Sequence, residues 1–277
     1  MGRLLLIGDD PALAGALRAS HHLTQHTVET CGGPFEATRL LRARAFDVIL
    51  TDPTTTAAEN LALLEEFHKL GPSMKTIVLA PTLSGADVIA ALRQHVYGCF
   101  TRPIDYEEVA DMARAAIEDT DWRDGIEVTS GLPYWISLRV ACRLMTADRL
   151  TRFMTEYSTA LPSTERDLLM TAFREMLLNA MEHGAGFDPE KVIEVTAAQT
   201  ARAIVFHFRD PGSGFDREDL RYAAATSHPE DLINSAHERT QAGLRPGGFG
   251  MLIVRQIVDE LVYNEQGNEV LMIKHIK

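Results

Sequence analysis

The sequence predicts two domains, a doubly wound α/β unit followed by a unit of mixed strands and helices. Three observations carry this. Short apolar runs and helically spaced segments alternate five times over the first 119 residues, which calls for a parallel sheet with helices on both faces. A polar stretch ending in Gly, residues 118–125, then breaks the pattern. Beyond it, strand pairs flank two successive helices, and strands no longer alternate with single helices.

In chain order, the apolar run at 4–7 reads as a buried strand and 11–20 as a helix. The pattern continues with strand 27–31, helix 34–45, strand 47–51, helix 61–70, strand 76–80, helix 86–96, strand 98–101 and helix 105–118. In the second half, 125–130 and 135–140 read as strands, the latter alternating at Ile136, Leu138 and Val140. Helical spacing follows over 146–161. Pro162-Ser163-Thr164 with Asp167 reads as a helix start of capping-box type. That helix runs to His183-Gly184, with the glycine as a natural stop. Strands at 192–199 and 201–209 form a hairpin or meander. A helix over 251–261 precedes strands at 260–264 and 269–275, which turn at Gln266-Gly267-Asn268. Trp122 is placed at the junction of the halves.

Composition excludes some functions. The chain has 277 residues, 45% hydrophobic and 24% charged, so it is globular. Its net charge of −12 makes it a poor general nucleic-acid binder, which needs dense Lys and Arg. The apolar start, 3–7, is too short for a signal peptide or membrane span. Cys31, Cys99 and Cys142 are scattered without metal-ligand spacing, and a reducing cytoplasm is the simple expectation.

Ligands of parallel α/β sheets sit at the carboxyl ends of strands. Three such ends carry charge here: Asp9-Asp10 after the first strand, Asp52 after the third, and Arg102 after the fifth. Clustered carboxylates call for a cation, and Mg²⁺ suits them. A carboxylate facing that metal can accept a phosphoryl group.

In the second half, Glu175, Asn179 and Glu182 share one helix edge at i, i+4 and i+7, beside an apolar stripe that includes Leu169, Phe173, Met176 and Ala180. A carboxylate beside an amide suits a divalent ion and a base for phosphoryl transfer. Asp210-Pro211-Gly212-Ser213-Gly214 offers an acceptor for an exocyclic amine such as that of adenine, next to glycines that let backbone approach a flat ligand. Gly247-Gly248-Phe249-Gly250 feeds a helix amino terminus, where free N–H groups favour phosphate. Each loop alone is more often just a turn. The three in this order form a joint signal.

On Asp9-Asp10, Asp52 and Thr101-Arg102-Pro103, residues 1–119 resemble the receiver domain of response regulators, a flavodoxin-like fold. The resemblance implies Asp52 as phosphoacceptor, Asp10 and Asp52 as Mg²⁺ ligands with Asp9 one shell out, and Arg102 at the place of the usual Lys. Three features depart: Ala80 replaces the usual Ser or Thr, Arg is not a neutral swap for Lys, and the usual Met-Pro after the phosphoacceptor is missing from Asp52-Pro53-Thr54-Thr55-Thr56. Two readings of this half stay open, an aspartyl-phosphate switch and a receiver-shaped docking or dimerisation module.

On Glu175 and Asn179, on Asp210, Gly212 and Gly214, and on Gly248 and Gly250, residues 126–277 resemble the GHKL (HATPase) ATP-binding domain, a two-layer α+β sandwich of Bergerat type. Within that superfamily the helix end at His183-Gly184 and the run from Gly248 to Leu261 are most similar to the anti-sigma-factor serine kinases. The resemblance implies Mg²⁺-ATP as cofactor. Asn179 would hold the metal, Glu175 would act as general base, Asp210 would read adenine, and Gly248 and Gly250 would line the triphosphate. Residues 217–244, with Arg221, His228, His237 and Arg239, would form a lid.

The implied partners are an anti-anti-sigma (STAS-type) protein and a sigma factor. An upstream histidine kinase and homodimerisation remain open, and no nucleic acid or membrane is expected. The expected activity is receiver-regulated protein serine kinase; the alternative is a non-catalytic, ATP-gated binding module with a non-switching receiver. A sensor histidine kinase is disfavoured, because the helix at 146–161 has no His.

Overall fold

The structure, a computed structural model, describes residues 1–70, 74–120, 122, 124–214 and 250–276. The chain separates into two compact units, Met1–Asp124 and Gly125–Lys277.

The first unit is built from β1 (Arg3–Ile7), α1 (Pro11–Ala19), β2 (Thr27–Cys31), α2 (Pro34–Ala43), β3 (Val48–Leu50), α3 (Ala57–His68), β4 (Lys75–Ala80), α4 (Gly85–Arg93), β5 (Gly98–Thr101) and α5 (Tyr106–Glu118). A 3₁₀ turn, His21–Leu23, follows α1. The five strands are all parallel in the order β2-β1-β3-β4-β5. This is the flavodoxin-like order, with its switch point between β1 and β3. The central strands are apolar at successive positions because both sheet faces are covered. All six residues of β4 are buried. Leu4, Leu6, Val48, Leu50, Ile77 and Leu79 share a core with Leu13 and Leu17 of α1 and Val109 and Ala113 of α5.

Capping fixes where the helices begin. Asp10, Thr56, Ser84 and Asp105 each accept backbone N–H bonds at the starts of α1, α3, α4 and α5. The segment after α5 stays on this unit. Lys75 Nζ donates to the carbonyls of Ala116 and Asp119 at 2.6 Å each. Trp122, placed at the junction by sequence, packs on Tyr97 with ring centroids 5.2 Å apart.

The second unit comprises β6 (Ile126–Leu132), β7 (Trp135–Ala141), α6 (Leu144–Tyr157), α7 (Ser163–Asn179), a π-turn (Ala180–Gly184), β8 (Val192–Gln199), β9 (Ala203–Arg209), α8 (Gly250–Ile257), β10 (Glu260–Tyr263) and β11 (Glu269–His275). Its described strands pair antiparallel in the order β10-β11-β9-β8-β7-β6. Burial alternates along β7, β8 and β9, so one face is packed. On that face Phe173 of α7 meets Phe206 edge-on at 4.8 Å and Phe208 at 5.2 Å. Helices on one face of an antiparallel sheet make the two-layer α+β architecture.

Two local expectations change, and a third is met by another route. The capping box at Ser163 is not made: Pro162 occupies the cap position, and no side chain bonds there. Proline offers no side-chain acceptor, and Ser163 is already the first helical residue. The last helix stops at Ile257, so Glu260 and Leu261 belong to β10 alone. The third concerns Gly184, where the helical run does end. A glycine that stops a helix usually takes the left-handed conformation, and here that conformation falls two residues later, at Gly186 (φ +67°) and Phe187 (φ +53°).

Candidate functional site

In the second unit, Glu175 and Asn179 lie one turn apart on α7, both half-buried. The helix then widens into the π-turn, which carries Glu182, exposed His183 and Gly184. π-turns of this kind are frequent at functional sites.

Gly184 is held there by contact, not by backbone conformation. A Cβ on it would land on the Asp210 carboxyl group. The absent side chain lets the loop after β9 press directly onto the end of α7. Asp210 Oδ1 accepts the Gly212 N–H at 2.8 Å. A Cβ on Gly212 would come 2.8 Å from both Asp210 Oδ1 and the Gly184 carbonyl oxygen. At Gly214, φ is +78° and a Cβ would strike the Gln266 carbonyl. Asn268 completes the clamp: its carbonyl accepts the Asp210 N–H at 3.0 Å, and its amide donates to the Asp210 carbonyl at 3.4 Å. The sequence reading gave Gly212 and Gly214 to ligand approach. In the structure they first allow three backbone segments to meet.

Asp210 is the perturbed acid of this region. Burial pushes its pKa above the ordinary value, and the Gly212 N–H only partly offsets this. Among the described residues no donor reaches its Oδ2. A desolvated acceptor fixed by its own loop suits an amine or amide donor on a bound ring.

At the other end of the site, a Cβ on Gly250 would meet Glu175 Oε2. The amino terminus of α8 therefore packs onto the Glu175 carboxylate. The structure brings together Glu175 and Gly250, with Asn179 one turn further along α7, and separately Gly184, Asp210, Gly212 and Gly214. Gly248 and the residues read as a lid, 217–244, lie outside the described residues, as does Arg245.

The first unit repeats the device. Gly8, at φ +106°, follows β1 and faces Asp52 after β3; a Cβ there would sit 2.6 Å from the Asp52 Cγ. Asp52 Oδ1 accepts from Thr54 N at 2.8 Å and from Thr54 Oγ1 at 2.7 Å. Asn60, fully buried in α3, donates to the carbonyls of Asp52, Thr55 and Leu79 at 3.1, 3.2 and 2.9 Å. Thr51 ties the end of β3 to Leu79 of β4 through its hydroxyl. Arg102 is exposed, with Nε 3.5 Å from the Pro53 carbonyl. Asp10 Oδ1 caps α1 through the Leu13 N–H at 2.9 Å, and Asp9 is exposed. Asp9, Asp10 and Asp52 do not form a set of ligand atoms within 4.8 Å of one another. A cation bound directly by all three would need these side chains closer together.

Sequence reasoning missed Gly8, Asn60 and Gly184 as parts of these sites. Glycine at a strand or helix end reads as a turn, and only the opposing element reveals what it accommodates. The cysteines are all buried, and burial pushes the Cys142 thiol up to about 11.

Comparison with known proteins agrees with this geometry. Residues 141–274 match the family model described as a histidine kinase-like ATPase domain. The chain is 30% identical over 135 residues to the transcriptional regulatory protein GlrR of Escherichia coli strain K12, covering 47% of this chain and 30% of that protein. It is 27% identical over 109 residues to the serine-protein kinase RsbW of Oceanobacillus iheyensis, covering 39% of this chain and 64% of that one. The chain thus spans less than two thirds of either relative. Among solved structures it is similar to a CheY-like response regulator receiver domain protein from Methanospirillum hungatei JF-1. That match has 21% identity and a TM-score of 0.39, covering 44% of this chain and 97% of that one. The fold of the first unit rests on its own strand order rather than on that likeness. The second unit thus matches a histidine kinase-like ATPase domain over residues 141–274, and the first has the doubly wound order β2-β1-β3-β4-β5.

Proposed function

We propose that the second unit binds Mg²⁺-ATP and passes the γ-phosphoryl group to a serine of an anti-anti-sigma (STAS-type) partner, under the influence of the first unit. The observation that carries this is the layout along α7. Glu175 lies against the start of α8, and Gly184 lies against Asp210 nine residues later. At 1.5 Å per residue through Asn179, and less through the wider π-turn, that separation is roughly 12 Å, on the scale of an extended nucleoside triphosphate. Asp210 then takes the adenine amine, and Asn179 holds the metal near the middle. Glu175 accepts the proton of the attacking hydroxyl. Gly250, with Gly248 before it, lines the phosphates at the helix amino terminus. The residues fit the nucleotide: Gly184 and Gly212 let the Asp210 carboxylate seat closely between the end of α7 and its own loop, and that carboxylate is partly desolvated. When bound, Mg²⁺ spreads the charge developing on the transferred phosphoryl group.

The likeness to a serine-protein kinase supports the choice of acceptor. The partner would alternate between this protein and a sigma factor, in the cytoplasm. In the first unit, Asp52 is the proposed phosphoacceptor, with Asp10 and Asp52 as Mg²⁺ ligands, Asp9 beside them and Arg102 as the neighbouring cation. A histidine kinase is the proposed donor.

The test is incubation of the full chain with ATP, Mg²⁺ and a STAS-type partner, followed by phosphoserine detection. Wild type is expected to phosphorylate the partner and Glu175→Gln to bind ATP without transfer. ATP binding with no transfer by wild type to any of a panel of partners would replace the kinase with a nucleotide-gated binding module. For the first unit, a small-molecule phosphodonor is expected to label wild type and leave Asp52→Ala unlabelled.

A further inference from the structure

Outside both sites, the first unit gathers two histidines and two carboxylates where the turn after α1 meets the start of α5. Among the described residues, His21, His22 and Glu107 are the set of three whose ligand atoms all lie within 4.8 Å of one another. His21 Nδ1 and His22 Nε2 each stand 3.8 Å from Glu107 Oε2. The two imidazoles face each other, with ring centroids 3.9 Å apart and planes tilted by 38°.

We propose that His21, His22 and Glu107 bind a single divalent transition-metal ion of the zinc class, with water completing the coordination. Tetrahedral zinc with bonds near 2.1 Å has ligand-to-ligand edges of about 3.4 Å. The two histidine–carboxylate edges are already within a few tenths of an ångström of that value. Two imidazoles and one carboxylate suit zinc, whereas Mg²⁺ prefers oxygen ligands.

The outer groups favour the same assignment. His22 Nδ1 lies 3.5 Å from Asp111 Oδ1, one turn further along α5. The nearby Asp111 charge favours a proton on Nδ1, which leaves the Nε2 lone pair for the metal. Arg114 holds Asp111 at 2.6 Å, and the Ser20 hydroxyl donates to Glu107 Oε2 at 2.9 Å. Asp105 caps α5 through the N–H groups of Glu107 and Glu108, which fixes the backbone carrying Glu107. His22 is the half-buried member, while His21 and Glu107 face solvent and leave room for entering ion and water. Every cysteine is buried, so no exposed thiolate among the described residues competes. The ion would join segments 85 or more residues apart, as the Ser20–Glu107 bond already does across 87. This site rests on the first unit alone and is independent of the function proposed above.

The experiment is zinc titration of the full chain against a chromogenic chelator, with a thermal melt of each sample. Wild type is expected to take up one equivalent with micromolar affinity or better, undiminished by millimolar Mg²⁺. Saturating zinc should raise its melting temperature. His21→Ala and His22→Ala should each weaken binding at least about tenfold and remove the melting shift. Asp111→Ala should weaken it by about tenfold through loss of the outer carboxylate. His275→Ala, which removes a lone histidine–carboxylate pair with Glu260, should bind as wild type does. His21 is largely solvent-exposed, so its variant should melt as wild type does in metal-free buffer. Absence of zinc uptake, or equal uptake by wild type and the His21→Ala/His22→Ala double variant, overturns the proposal.

Discussion

Asp52 and Asp210 belong to unrelated sheets, yet each is an aspartate after a strand facing a glycine from another element. Gly8 faces the first and Gly184 the second. The difference lies in what surrounds each carboxylate. Asp52 is tied to its own turn by Thr54, and buried Asn60 braces the carbonyls around it. Asp210 is pressed between α7 and the β10–β11 turn, and burial disfavours its charge. The first arrangement is a half-exposed carboxylate held by its own turn. The second is also half-exposed, but burial disfavours its charge. A parallel sheet leaves its carboxyl edge open to solvent, whereas the antiparallel sheet and its covering helix close over the loop between them.

The largest expected effect concerns the base. Glu175→Gln should lower phosphoryl transfer to the partner by about 10²–10⁴-fold, with nucleotide affinity near wild type by equilibrium binding. Equal transfer rates in both proteins would remove Glu175 from the chemistry.

The glycines test the comparison itself. Gly8→Ala meets a left-handed φ and the Asp52 carboxyl together, so two costs combine at about 1–3 kcal/mol each. Gly184→Ala meets only the steric cost, about 1–3 kcal/mol. The same change should weaken ATP binding, because Asp210 must move. Denaturant midpoints for both variants, with ATP titration of the second, check this ordering. An alanine at 184 that leaves stability and affinity unchanged would break the parallel between the two sites.

Asn60→Ala should cost about 1–3 kcal/mol by removing a buried amide that donates to three carbonyls, although Leu79 keeps the Thr51 hydroxyl and Asp52 keeps the Thr55 N–H. Hydrogen exchange should quicken in the turn after β3.

The smallest effect is on pH dependence. The raised pKa of Asp210 means the folded chain keeps this proton at a pH where the unfolded chain, near 3.8, has released it. Stability therefore falls as pH rises from the unfolded value through the folded one, and the loss is complete above it. Asp210→Asn should remove that slope, read as unfolding midpoint against pH.

Much of this was legible in the residues. The apolar runs of β1, β3 and β4 needed no partner to be recognised, because a strand buried on both faces carries its environment in its own composition. Glu175 and Asn179 were legible because helical spacing alone puts them on one edge. Gly184 does end the helical run, as read, but nothing within its own helix shows that it also admits Asp210. The capping box at Ser163 failed for a local reason, the proline ahead of it. The end of α8 was blurred because apolar residues run from Met251 through Leu261, across both the helix and β10.

Periodicity by itself determined the order of elements, the two sheet types and which acids stand at strand and helix ends, because those depend on near neighbours in the chain. Which glycine faces which carboxylate, which acid loses its water, and which histidines meet Glu107 were decided only by tertiary structure. Each depends on contacts between residues tens of positions apart, and short-range sequence patterns do not record such contacts.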